Sequence, residues 1–270
     1  MPAQSVTVGE LTFDVQVQGP DDGAAVLLLH GFPQSSACFD AVVPRLHSAG
    51  LRTIAPDQRG YSPGARPAGI EAYGVRELVA DAIGLLDALG IGYAHVVGHD
   101  WGAAVAWQLA ARHPDRVASL VAASVGHPVA FSAALRTDPD QRARSGYMRE
   151  FFDSGTEDRL LADDGAQLRE MVTHGDVAPE LLRRPGLSAA LSWYRAMTAA
   201  DHQEVVDVEV PTTFLWSTGD HALGRTQAIG TARHVRGEYR YVELRGVSHW
   251  IPDEAPAALA SEVALRSSSW

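Results

Sequence analysis

Residues 98–102 read Gly-His-Asp-Trp-Gly, an acid between two glycines where an apolar run meets a helical pattern. Small residues two positions either side of the acid permit a sharp strand-to-helix turn, because bulk there would strike neighbouring backbone. An aspartate before a helix is also an ordinary cap, so the pentapeptide needs partners before it means chemistry. The loop HGFPQSS (30–36) brings backbone close to the turn, which makes the amides of Phe32 and Trp101 candidates for an oxyanion hole. Downstream, Asp220 follows a strand in WSTGDHALG, and His249 follows the last one in RGVSHW. An aspartate, with an ordinary pKa of about 3.9, is ionised at neutral pH and is a nucleophile without help from a base. A histidine oriented by a second acid can then activate water.

Such groups need rigid elements behind them. The stretch VTVGELTFDVQVQG (6–19) alternates around a Gly-Glu turn and predicts a hairpin of two edge strands. The apolar runs AAVLLL (24–29), RTIA (52–55), AHVVG (94–98), VASLVAAS (117–124), TTFLW (212–216) and YRYVEL (239–244) predict strands, most of them buried on both faces. Between them lie helical patterns, clearest where Val75, Leu78, Val79, Ala82, Ile83 and Leu86 recur. Alternation of this kind predicts an α/β fold, a mostly parallel sheet with helices on both faces. Residues 130–205 break the rhythm with helical stretches and no clear strand, so the expected division is a core of residues 1–128 and 207–270 and an inserted helical cap, 129–206. A closing helix is expected over 254–265, ahead of a short SSSW tail.

Composition narrows the function. The 270 residues suit one large domain, or one carrying an insertion, and a formal net charge of −11 argues against nucleic acid and anionic membrane surfaces as partners. All 22 basic residues are arginine, which excludes lysine-dependent chemistry; the arginine and alanine bias points to a GC-rich bacterial genome. The single Cys38 rules out an internal disulfide and reads as a small buried hydrophobe. The start MPAQSVTVGE carries neither a basic region nor an apolar stretch, no run is long enough to span a membrane, and a cytoplasmic location is the expectation. Homodimer formation, through the insertion or the closing helix, has no sequence signal for or against it.

Taken together, HGFP, DQRGYSPG (57–64), GHDWGA, AARHPDRV (110–117), WYRA (193–196), GD (219–220) and GVSHW (246–250) resemble α/β-hydrolases of the epoxide hydrolase family over nearly the whole chain. The order nucleophile, acid, histidine fits that fold. The resemblance implies that Asp100 attacks an epoxide carbon to form an ester, and that His249 with Asp220 drives water onto the ester carbonyl. It also implies that Tyr147 in YMREF and Tyr194 in WYR hold the epoxide oxygen. His30, Pro33, Trp193 and Trp250 are expected around the pocket, His30 and His99 in hydrogen-bonding roles, and Phe32–Pro33 as a cis bond; His127 has no assigned role. Water is the cosubstrate, and neither a metal nor an organic cofactor is expected.

Haloalkane dehalogenases are the alternative, since they share the aspartate and the following tryptophan, Trp101, whose indole N–H can hold a halide. Their frequent second donor is an asparagine where this chain has Phe32, and Trp193 is the candidate substitute. Fluoroacetate dehalogenases place arginines where this chain has Trp101 and Ala104. A third alternative is a non-catalytic ligand-binding protein of the same fold, set against the retention of every expected catalytic residue. Gly126, Phe39 and Phe152 depart from common family residues, which leaves substrate size and stereochemistry open.

Overall fold

The computed structural model describes residues 3–198, 200–203 and 205–268. Residues 199 and 204 of the expected cap, and the last two of the SSSW tail, lie outside these. The strands are β1 (Gln4–Val8), β2 (Leu11–Gln18), β3 (Ala25–Leu29), β4 (Arg52–Pro56), β5 (Ala94–His99), β6 (Val117–Ala123), β7 (Thr212–Ser217) and β8 (Tyr239–Leu244). They form one sheet in the order β1-β2-β4-β3-β5-β6-β7-β8. The pairs β1–β2 and β2–β4 are antiparallel and the remainder parallel. The hairpin therefore departs from expectation: only β1 lies at an edge. β2 pairs on both sides, its Val15–Gln18 half against Thr53–Pro56, which satisfies its backbone groups, while Phe13 and Val15 are completely buried in the core.

Strand alternation sends neighbouring side chains to opposite faces. Leu27 and Leu29 pack with α2 (Val75–Ala88) and α3 (Trp101–Arg112), whereas Val26 and Leu28 pack with α1 (Val43–Ser48) and the helix Pro256–Ser267. Cys38 is a free thiol in the second of these layers. The expected closing helix is split at Ala255, whose non-helical φ of −129° and ψ of 47° precede Pro256.

Between β6 and β7 no described residue forms a strand, and Val208 makes only an isolated bridge, to Val235. The chain there forms α4 (Pro128–Thr137), α5 (Pro139–Arg144), α6 (Thr156–Met171) and α7 (Arg184–Ala196), with 3-10 turns between them, one of which, Gly146–Phe152, carries Tyr147. Helix α6 is kinked where Asp163, Asp164 and Gly165 take positive φ. No described helix is long and apolar enough to cross a membrane.

This topology creates the site. The chain leaves β3 for β4 on one side and returns to β5 on the other. The loops after β3 and β5 thus diverge, leaving a crevice at the carboxyl ends of the strands, the place where open α/β sheets bind ligands.

Candidate active site

Asp100 sits at the apex between β5 and α3 with φ 54° and ψ −121°, a conformation that costs a non-glycine residue about 1–3 kcal/mol. The flanking glycines make it possible. A Cβ on Gly102 would overlap the Leu29 carbonyl, and one on Gly98 would overlap the carbonyl of Gly102. The turn places a buried carboxylate above β3 and β5.

Its two oxygens have different surroundings. Oδ1 accepts the Phe32 N–H at 2.9 Å, and the Trp101 N–H also bonds the carboxylate. Oδ2 lies 3.4 Å from His249 Nε2. Burial alone would raise the Asp100 pKa, but the hydrogen bond and charge of His249 outweigh it and hold the group ionised below the usual range. Phe32 is joined to Pro33 by a cis bond.

His249 Nδ1 donates to Asp220 Oδ2 at 2.8 Å, and the other Asp220 oxygen accepts the N–H groups of Ala222 and Leu223, each at 2.8 Å. Asp220 is 1% exposed and His249 3%. Burial opposes a charge on the imidazole; the Asp220 carboxylate, and then Asp100, overcome this and push its pKa up to about 10. The His249 carbonyl accepts from His99 Nε2 and Ser124 Oγ, both at 2.9 Å.

Asp100, Tyr147, Tyr194 and Ala222 are shared by two chambers. The inner one, about 540 Å³ of empty space, is walled by Val125, Pro128, Phe131, Met148, Met197 and Leu223 among others, and Asp100 is the one carboxylate among its lining residues. The outer one, about 1020 Å³ and open to solvent, meets His249, Trp250, Phe32 and Pro33, with exposed Glu170 and His221 near its mouth. Burial, joined at Tyr147 by the charge of Asp100, raises both tyrosine pKa values, so both phenols stay protonated and can donate. The two hydroxyls also interact with each other.

A family model described as alpha/beta hydrolase fold matches residues 24–256. The chain belongs to that family. It is 35% identical over 269 residues to the AB hydrolase superfamily protein YfhM of Bacillus subtilis, covering 94% of this chain and 93% of that one. It is 33% identical over 295 residues to Epoxide hydrolase A of Mycobacterium tuberculosis, covering 91% of each. A solved structure of epoxide hydrolases from hot-environment metagenomes superposes with a TM-score of 0.85 at 30% identity, covering 97% of this chain and 98% of that one.

The remaining expected residues of this hydrolase divide into two groups. Pro33 and Trp250 line the outer chamber. His30 and Trp193 line neither chamber at Asp100 and stand behind the wall. His30 is fully buried, its Nε2 accepting the Gln58 N–H at 3.1 Å and its pKa lowered by burial. The Trp193 indole donates to the Arg59 carbonyl at 2.9 Å. His99, pushed down to about 4 by burial and by His249, is neutral and braces the His249 backbone. His127 caps α4 and stacks on His234, 4.7 Å away. Ser124 and Gln141, which hold the site from behind, were not singled out from sequence; a lone serine at a strand end and a lone glutamine in a polar stretch carry no signal there. No group of three or more His, Cys, Asp or Glu among the described residues is placed to hold a metal.

Proposed function

We propose that this hydrolase converts an epoxide to a vicinal diol through a covalent ester on Asp100. The observation that carries the reading is the meeting of one ionised carboxylate and two protonated phenols in a wall shared by both chambers. Oδ2, the oxygen not held by the Phe32 amide, attacks an epoxide carbon; the ring C–O bond breaks, and the departing alkoxide takes a proton from Tyr147 or Tyr194. An alkoxide is a poor leaving group, so this donation is where the phenols accelerate the step. Ester formation removes the Asp100 charge that helped hold a proton on His249. The imidazolium then reprotonates the tyrosinate through the water of the outer chamber and becomes a base.

His249 next deprotonates a water that attacks the ester carbonyl. Negative charge develops on Oδ1, against the amides of Phe32 and Trp101. Collapse breaks the acyl–oxygen bond; the departing oxygen, formerly Oδ2, takes the remaining water proton and becomes the second hydroxyl of the diol, the water oxygen stays in the Asp100 carboxylate, and His249 holds the other proton, which restores the resting state. The apolar substituent of the substrate occupies the inner chamber, beneath Val125, Phe131, Met148 and Leu223.

The proposal includes the helices between β6 and β7 acting as a cap that supplies Tyr147 and Tyr194 over the core. It also includes a cytoplasmic setting and a small-molecule epoxide as the partner. The test is intact-protein mass of His249→Gln after exposure to epoxides and matched chloroalkanes. An adduct of the whole epoxide, absent when Asp100 is also changed to Ala, is expected. An alkyl adduct lacking halogen, formed from chloroalkanes alone, would replace this reading with dehalogenation, and binding without any adduct would favour a ligand-binding protein.

A further inference from the structure

Gln141 is fully buried in α5, ahead of the turn that carries Tyr147, and its side chain reaches across to the loop after β7. Nε2 donates to the Ala222 carbonyl at 2.9 Å and to Ser145 Oγ at 3.0 Å, while Oε1 accepts the Gly224 N–H at 2.7 Å. The Ala222 carbonyl and the Leu223 N–H belong to one peptide unit. That N–H, with the N–H of Ala222, points at Asp220 Oδ1. Gln141 therefore grips the far side of the peptide plane whose near side orients the acid. Donation to its carbonyl also strengthens the hydrogen bond its N–H makes, since linked hydrogen bonds polarise one another. Arg144, one helical turn later in α5, donates to the Asp220 carbonyl and adds a second strut from the same helix.

We infer that Gln141 is a positioning residue that couples the segment bearing Tyr147 to the Asp220–His249 pair, so that the groups of both half-reactions are held in one register. The inference rests on the roles assigned above to Asp100, His249 and Asp220. Gln141 touches no reacting atom. It acts by fixing the loop that fixes Asp220, and through Ser145 the start of the turn that leads to Tyr147.

The experiment is single-turnover quench-flow with intact-protein mass, which gives separate rate constants for ester formation and ester hydrolysis across pH. Gln141→Met fills the space but makes none of the three hydrogen bonds. Its hydrolysis constant should fall about tenfold, the effect of roughly 1.4 kcal/mol on a barrier. The pH midpoint of that step should move down, because a loosened Asp220 supports less charge on His249. Gln141→Glu tests the geometry in the other direction. Protonated, its carboxyl can donate to Ala222 and accept from Gly224 as the amide does; ionised, it sets an oxygen anion against a carbonyl. It should match wild type at acid pH and slow progressively as pH rises.

Misfolding lowers the amplitude of the ester signal and leaves the rate constants of the folded fraction to decide. A Gln141→Met enzyme with wild-type hydrolysis constant and pH midpoint overturns the coupling. Should Gln141→Met not fold at all, a Gln141→Glu profile that overlays wild type at every pH overturns it equally. Failure of the wild-type protein to form any epoxide ester is a separate result, and it removes the proposed function itself.

Discussion

Asp100→Asn should change His249 more than it changes the fold. In the resting site the imidazole is held at a pKa of about 10 against an ordinary value near 6.5, with burial opposing the charge and Asp220 and Asp100 supporting it. At 1.36 kcal/mol per pH unit the displacement corresponds to about 5 kcal/mol, an upper figure for the two carboxylates net of burial. The amide removes one carboxylate charge 3.4 Å from Nε2 and leaves the 2.8 Å bond to Asp220. A fall of about one pH unit or more is expected, or ~1.4 kcal/mol.

The same shift is visible in stability. A histidine whose folded pKa is raised stabilises the fold fully below its unfolded value of about 6.5 and loses that contribution as pH climbs through the folded value. Wild type should therefore lose stability across roughly pH 6.5 to 10, and Asp100→Asn across a window that closes earlier. NMR titration of the His249 ring and urea unfolding at stepped pH measure the two effects. An unchanged His249 midpoint in Asp100→Asn would refute the argument that ester formation, by neutralising Asp100, is what turns the histidine into a base.

Two further substitutions probe the nucleophile and its helpers. In Gly31→Ala the new Cβ would overlap Oδ1, Cγ and Cβ of Asp100; ester formation should fall at least about 100-fold with a stability loss of only about 1–3 kcal/mol by urea, because the obstacle is a side chain. Wild-type ester formation in Gly31→Ala would show that the Asp100 carboxylate does not need the position it has here. Tyr147→Phe and Tyr194→Phe should each slow epoxide opening about 10- to 100-fold, and the double variant by more than the product, since either phenol can serve when the other is gone. Quench-flow rates that simply multiply would mean that the two hydroxyls act independently.

The sequence revealed most where a residue type has one physical use. Buried runs such as Val96–Gly98 and Leu120–Ala122 are strands in the structure because both faces are covered, and glycines 98 and 102 mark the turn because only hydrogen fits beside Gly102 O and Leu29 O. Less legible was anything set by pairing or by the reach of a side chain. The partner of β2 depended on where β4 came to lie, which alternation within 11–18 cannot encode. Trp193 and His30 have the chemistry of pocket residues, yet Arg59 and Gln58 claim their polar atoms behind the wall. Gln141 is one polar residue in a polar stretch until α5 is laid against residues 222–224.

Those claimed atoms bear on the choice between two leaving groups. A halide needs weak donors and no proton, whereas an alkoxide needs a proton from a group that still holds one at neutral pH. Two of the three indoles near Asp100 are already engaged, Trp193 donating to Arg59 and Trp101 toward the Tyr194 hydroxyl, while the buried Trp250 Nε1 of the outer-chamber wall has no partner among the described residues. At Phe32, the position of the frequent halide-binding asparagine, the side chain is a ring packed edge-on against Phe151 and Tyr194. The hydroxyls in the wall common to both chambers beside Asp100 are the phenols of Tyr147 and Tyr194, and burial keeps their protons on their oxygens. The same packing that engages those two indoles supports the Tyr194 ring, against Phe32 at 5.5 Å, Trp101 at 5.0 Å and Phe151 at 4.8 Å. An aromatic cluster of this kind holds a proton donor over the carboxylate, which a departing alkoxide needs and a halide does not, and this is why the wall around Asp100, more than Asp100 itself, favours the epoxide.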